Sequence, residues 1–274
     1  MSSLLLSGAL AFYLLTTAIF VAQIVTGHDA MRRVAHLLLG CAFALHAASL
    51  VVRAAVVGYE VIATYRDELS FIACCMVGVY LFTASRARAN LTVVGTLVTP
   101  IAFLLSLSAH AFGPAEATPE AYRPTAWLPA HVAPAFLGYA VFAVAFCLSL
   151  AYLLQERQLK SKRMGELFRR LPSLETLDTL NYRFVALGFA LFTVAIVTGS
   201  LLARHVWGHL WSWEPVQVLS VLTWLLYACL LQARSMGWRG RKAAALTVAG
   251  FVLVLASFLT VNLLLPGRHP GAAG

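Results

Sequence analysis

Charge is what this sequence has least of. Only 11% of its 274 residues are Asp, Glu, Lys or Arg, against 61% hydrophobic, and the mean hydropathy is +0.82. Soluble domains carry about 25% charged residues, so this balance excludes a soluble globular protein and leaves a polytopic, all-α membrane protein. Cysteine is also sparse. Cys41, Cys74, Cys75, Cys147 and Cys229 all fall inside apolar runs and none forms a CxxC, which argues against a disulfide framework or a redox pair and for small core residues. No span carries the paired acidic residues of an ion-coupled pathway, so a transporter is disfavoured. Nothing resembling a linker divides the chain and no strong internal repeat is present, so residues 1–274 read as one transmembrane domain. The run from Leu4 to Val25 is too long for a signal-peptide core and lacks a basic flank, and it reads as a retained first span.

What is present is a series of apolar runs. Eight approach the length a bilayer requires: 4–26, 34–57, 69–84, 91–109, 132–154, 183–203, 217–233 and 244–265, the third and seventh being short. Placing the connections on alternate sides puts fifteen of the twenty Lys and Arg on one side, among them Arg32, Arg33, Arg86, Arg88, Arg183 and Arg234. The positive-inside rule makes that side cytoplasmic and predicts both termini on the external, periplasmic face. The formal charge of +9 is therefore a topology signal, and nucleic-acid binding loses its support.

The longest cytoplasmic connection, 155–182, has the charge pattern of an interfacial amphipathic segment, and Pro172 followed by Ser173 is expected to end one helix and begin another. On the external side His110–Ala130 holds four prolines and predicts a short irregular lid. Tyr59–Ser70 brings Arg66, Asp67 and Glu68 to the membrane edge, where a charge cluster capping a helix is expected.

The most distinctive stretch is Trp207–Trp224, WGHLWSWEPVQVLSVLTW, within an external loop at 204–216 and the helix after it. Interface tryptophans normally come singly; Trp207, Trp211, Trp213 and Trp224 together offer a broad polarizable surface suited to a planar aromatic ligand, the alternative being an aromatic belt. Of eight histidines, His110, His131, His205, His209 and His269 fall at or near the external face. His131 opens the fifth span and His269 follows the eighth, so three separated elements converge at one depth. Two imidazoles on opposite sides of a macrocycle form an axial pair for haem iron, with indole edges at its rim. A zinc site would need three or four close ligands, which this face does not offer. Arg204, Arg268 and Arg123 are candidates for the propionates, and Glu214 for orienting the loop.

These residues resemble the CcsA/ResC and CcmC haem-handling family of cytochrome c maturation, whose tryptophan-rich (WWD) signature runs close to WGxxWxWDPKExxxxxxWxxY. AHVAPAFLGYA is similar to the segment holding the first external axial histidine, carried onto His131. LDTLNYRFVALGFALFTVAIVTGS resembles the span entering the tryptophan loop, and the C-terminal run ending in LLPGRHP carries the second histidine onto His269. TYRDELSF is similar to the family's NLYESLSF. The chain departs from the signature at Glu214, Val216 and Gln217, and Gln232 stands where larger CcsA-type proteins carry a buried histidine that holds haem on its way across the membrane.

The resemblance implies a haem-handling component, in a bacterial inner membrane, that binds haem b through His131 and His269 over Trp207, Trp211, Trp213, Glu214 and Trp224. Such a component presents haem at the external face to apocytochrome c, with a ResB/CcsB-like membrane partner. Any catalytic part would be as a component of a cytochrome c haem lyase complex, and no catalytic residue is assigned. The HemX-like membrane regulators of haem biosynthesis, which share the architecture without synthase activity, are the alternative.

Overall fold

The computed structural model describes residues 1–58, 65–87, 89–111, 125–162 and 165–259. Among these there are helices and no strands: α1 Ser2–Thr26, α2 Asp29–Val57, α3 Tyr65–Arg86, α4 Thr92–Ala111, α5 Trp127–Lys160, α6 Glu166–Arg170, α7 Leu174–Trp207, α8 Pro215–Ser235 and α9 Arg241–Leu259. Seven of them, all but α6 and α9, are long and apolar enough to cross a membrane. The eighth expected span, 244–265, runs beyond the last described residue, and α9 covers its first part. The two runs that looked short in sequence belong to helices of 22 and 21 residues, because polar residues at their ends remain helical. Residues 112–124, most of the Pro-rich segment expected on the external side, lie outside the described residues.

The helices form two half-bundles. In the first, α1 packs along α2 and α4, and α3 along α4 and α2; in the second, α5 packs along α7 and α9, with α8 against both of these. The halves meet where α3 and α4 lie on α5. In its most apolar window α5 is 67% buried and α8 only 17%, so α5 is the axis of the molecule and α8 is an outer wall.

Lipid chains are as apolar as leucine, so close backbone approach and internal polar contacts must hold such helices together. Small residues provide the approach between α5 and α7: the Gly138 position lies 3.6 Å from the Phe192 backbone nitrogen, and a side chain at Gly188 would meet the Phe142 ring at 2.6 Å. Phe142 in turn stacks on Tyr227 of α8, with ring centroids 3.9 Å apart. Buried polar groups add specific links. Asn181 Nδ2 donates to the Ala145 carbonyl at 3.0 Å and to Ser149 Oγ at 2.7 Å, while its Oδ1 accepts from Thr247 at 3.3 Å, tying α7 to α5 and α9. Asp178 and Arg234 form a bidentate pair at 2.8 and 2.9 Å, and Asp178 Oδ1 also accepts from the Gly240 amide, which fixes the start of α7 against the turn between α8 and α9.

Several expectations need refinement. Asp67 lies with Glu68 in the first turn of α3, where the charge cluster was expected, but it is more than an end charge. It is 1% exposed and forms a two-pronged ion pair with Arg53 of α2, one prong being Nη2 to Oδ2 at 2.8 Å. A carboxylate this deep in an apolar setting is held by a partner from another helix. The 155–182 connection is largely helical, since α5 runs on to Lys160, α6 follows, and α7 begins at Leu174. Its predicted break is present: Ser173 is the N-cap of α7 and its Oγ accepts from the Thr176 amide at 3.2 Å. Arg170 of α6 donates to the Gly27 carbonyl at 3.1 Å, docking the connection onto the turn between α1 and α2. Of the five cysteines, Cys74 and Cys147 are buried as expected, but Cys41 and Cys229 are exposed, facing outward from α2 and α8.

Candidate functional site at the tryptophan loop

The tryptophan loop is shorter than the sequence pattern indicates, because α7 stays helical through Trp207. Gly208 ends it in the left-handed conformation, φ 80°, with its amide bonded to the Arg204 carbonyl at 3.0 Å. A glycine fits here because that region of backbone space penalises a Cβ. The connection then spans residues 208–214, and α8 opens on Glu214 as N-cap and Pro215 in its first turn. Gln217 folds the loop back on the helix: its Oε1 accepts from the Ser212 amide at 2.8 Å and from Ser212 Oγ at 3.2 Å. This residue, read in sequence only as a departure from the signature, is what shapes the loop.

The indoles are displayed in two groups. Trp211 and Trp213 meet edge to face at 5.5 Å, and Trp213, 79% exposed, adopts φ 55°. A bulky residue in that region is uncommon and marks a conformation imposed by its surroundings. Trp207 stacks on His209, ring centroids 6.5 Å apart. Trp224 stands apart from the loop, ten residues into α8, roughly 15 Å along the helix from Glu214. There its ring stacks on Phe189 at 5.3 Å and its Nε1 donates to Thr193 at 2.9 Å. In this structure it joins α8 to α7.

His131 lies one turn inside α5, facing α7. Its Nδ1 is 2.8 Å from the Ala195 carbonyl, and since a carbonyl only accepts, that nitrogen carries the proton. In a neutral ring this leaves the lone pair on Nε2, the tautomer that metal-bound histidines adopt when a carbonyl orients them. Gly199, one turn further along α7, makes room: a Cβ there would sit 2.8 Å from both Cε1 and Nδ1 of the imidazole. Eight residues separate Gly199 from Trp207, so the ring is seated roughly 12 Å below the loop, measured along α7. Neither Ala195 nor Gly199 stood out in the sequence. A glycine between Thr198 and Ser200 in an apolar helix is the one signal that could have flagged a close approach.

The remaining candidates separate clearly. Arg204 and His205 are exposed on the last turn of α7, His209 is exposed in the loop and His110 at the end of α4. His269, Arg268 and Arg123 lie outside the described residues. His46, in the middle of α2, is fully buried and both its nitrogens are engaged, Nδ1 with Tyr13 at 3.0 Å and Nε2 with Ser70 at 2.8 Å. Gln232 is exposed near the end of α8. No group of three or more His, Cys, Asp or Glu suited to a metal ion occurs among the described residues. A haem edge would suit what is present: one oriented imidazole, a glycine that spares room beside it, and a wall of indoles at the helix end.

The chain as a whole is similar to known proteins. The family model of the cytochrome c assembly protein matches residues 2–269. The chain is 32% identical to the cytochrome c biogenesis protein CcsA of Microcystis aeruginosa, covering 77% of this chain and 79% of that one. It is likewise 32% identical to the CcsA of a Synechococcus species, with 96% and 94% covered. Among solved structures the cytochrome c haem lyase CcmF superposes with a TM-score of 0.70 at 17% identity, over 94% of this chain and 46% of that larger one, a likeness of fold. By the extent of the family match and the coverage of these relatives, the chain belongs to the cytochrome c assembly protein family.

Proposed function

We propose that this protein handles haem during cytochrome c maturation, holding haem b at the external face of a bacterial inner membrane and presenting it to apocytochrome c. The observation that carries this reading is the seat of His131, whose Nδ1–H is fixed on the Ala195 carbonyl beside Gly199, below the tryptophan loop. His269 would supply the second axial nitrogen. Trp207, Trp211 and Trp213 would pack the macrocycle rim, with Glu214 starting the helix that Gln217 ties to the loop, and Trp224 would act from below by fixing α8 on α7. Haem supplies the iron and the vinyl groups; the chain supplies position, and holding two reactants in register is itself a large part of catalysis. A ResB/CcsB-like membrane protein is the partner that fits this role.

The test is the visible spectrum of the detergent-purified protein, oxidised and reduced, beside His131→Ala, His269→Ala and His28→Ala. Low-spin haem in the parent and in His28→Ala, reduced in the other two, is the expected result. Equal haem content in all four proteins would refute the axial pair. A parent that takes up no added haem would favour the HemX-like regulatory role, acting through the basic 155–182 connection.

A further inference from the structure

Away from the tryptophan loop, the seam between the half-bundles opens into a groove. α3 and α7 both lie on α5 but barely touch each other, so α5 forms a floor between two walls. The groove encloses about 710 Å³ and is lined mainly by apolar side chains, Phe82, Leu137, Phe184 and Leu187 among them. Its charged lining residues are Arg86, at the end of α3, and Arg183 of α7. Both arginines are exposed, and neither has a carboxylate partner among the described residues; the Arg86 guanidinium rests 5.2 Å above the Phe82 ring.

Length identifies what such a groove accepts. The α3 wall runs from Cys74 to Arg86, twelve residues or roughly 18 Å of helix. One leaflet of bilayer hydrocarbon is about 15 Å deep. With Arg86 at the phosphates, on the side where the positive-inside rule puts most of the arginines, a groove of this length would reach to about mid-membrane. Two guanidiniums without carboxylate partners among the described residues, on the lining of an apolar channel, are complementary to a phosphate on an acyl chain.

We propose that this groove binds an anionic phospholipid from the cytoplasmic leaflet, an acyl chain lying on α5 between α3 and α7 and the phosphate at Arg86 and Arg183. The lipid fills the seam, so it acts as a wedge that sets the spacing of the two half-bundles. A basic side chain near a lipid surface favours an anionic lipid about fivefold, so the two together favour it roughly 30-fold.

The experiment reconstitutes the full chain into nanodiscs of phosphatidylcholine mixed with phosphatidylglycerol and counts the lipids retained after release, by native mass spectrometry. The parent is expected to retain phosphatidylglycerol preferentially. Arg86→Gln/Arg183→Gln should lower that preference by roughly 30-fold. Leu187→Trp, at a residue 51% exposed on the groove, keeps both arginines but fills the channel, and should retain neither lipid. Equal retention of both lipids by the parent, an unchanged preference in the arginine variant, or full phosphatidylglycerol retention in Leu187→Trp would each overturn the proposal. So would displacement of phosphatidylglycerol by added haem, which would assign the groove to haem.

Discussion

Gly199→Ala is the substitution that bears most directly on the proposed haem ligand. The added Cβ would lie 2.8 Å from Cε1 and Nδ1 of His131, where ordinary contact begins at 3.4 Å, so the ring must retreat by about 0.6 Å. Retreat from α7 stretches the 2.8 Å bond between Nδ1 and the Ala195 carbonyl to about 3.4 Å, at the limit of a hydrogen bond. Losing the group that orients a metal-bound histidine lowers affinity by roughly 10- to 100-fold, equivalent to about 1.4–2.7 kcal/mol. Stability should respond differently. Alanine is favoured over glycine in a helix by about 1 kcal/mol, which offsets much of the ~1 kcal/mol hydrogen bond and part of the crowding. The variant should therefore fold and melt close to the parent while taking up haem weakly. Titrating haemin into the purified proteins, with the melting temperature measured alongside, separates the two effects. A Gly199→Ala protein with the affinity and low-spin spectrum of the parent would refute the seat assigned to His131.

Three further outcomes are expected. His46→Ala should leave haem content unchanged but lower the melting temperature, because both ring nitrogens serve buried contacts worth roughly 0.6–1.7 kcal/mol each inside a membrane protein; selective loss of haem from a folded variant would make His46 a ligand instead. Asp178→Ala strands Arg234, whose side chain is 7% exposed, and should destabilise by about 3–5 kcal/mol in unfolding by denaturing detergent, with much of the loss recovered in Asp178→Leu/Arg234→Met. Gln217→Ala removes the two Ser212 bonds that fold the loop, so tryptophan emission should shift to the red and haem uptake fall several-fold; unchanged emission would show that the loop holds its shape without that clasp.

The spans were legible in the sequence because a bilayer demands long apolar runs, and seven helices of suitable length and hydropathy follow them. The break at Pro172–Ser173 was also readable, since capping and the fixed φ of proline are local effects. Contacts between distant residues were not. Arg234 and Asp178 are 56 positions apart, and nothing near either residue announces the other. Asp67 was read as part of a charge cluster at the end of its own helix, yet its partner comes from the preceding helix. Trp224 was grouped with the loop tryptophans in one surface because sequence does not show rotation; ten residues of α8 carry it down and turn it onto α7. His131 was recognisable from its context, whereas the carbonyl and the glycine that seat it belong to a helix 64 residues further on.

The length of α7 has a mechanical consequence. This helix is clamped near its basic end by Asp178 and carries the Ala195 carbonyl seventeen residues away, roughly 26 Å along the same rod. Pivoting about that clamp by about 2° would carry the carbonyl sideways by about 0.9 Å, more than the retreat that a methyl group at position 199 would force. The anchoring of that end of α7, by a salt bridge, a backbone amide of the α8–α9 turn and the Asn181 knot one turn further in, thus bears on the angle at which the imidazole is seated. An alteration there, far from His131, would act on the imidazole as misalignment.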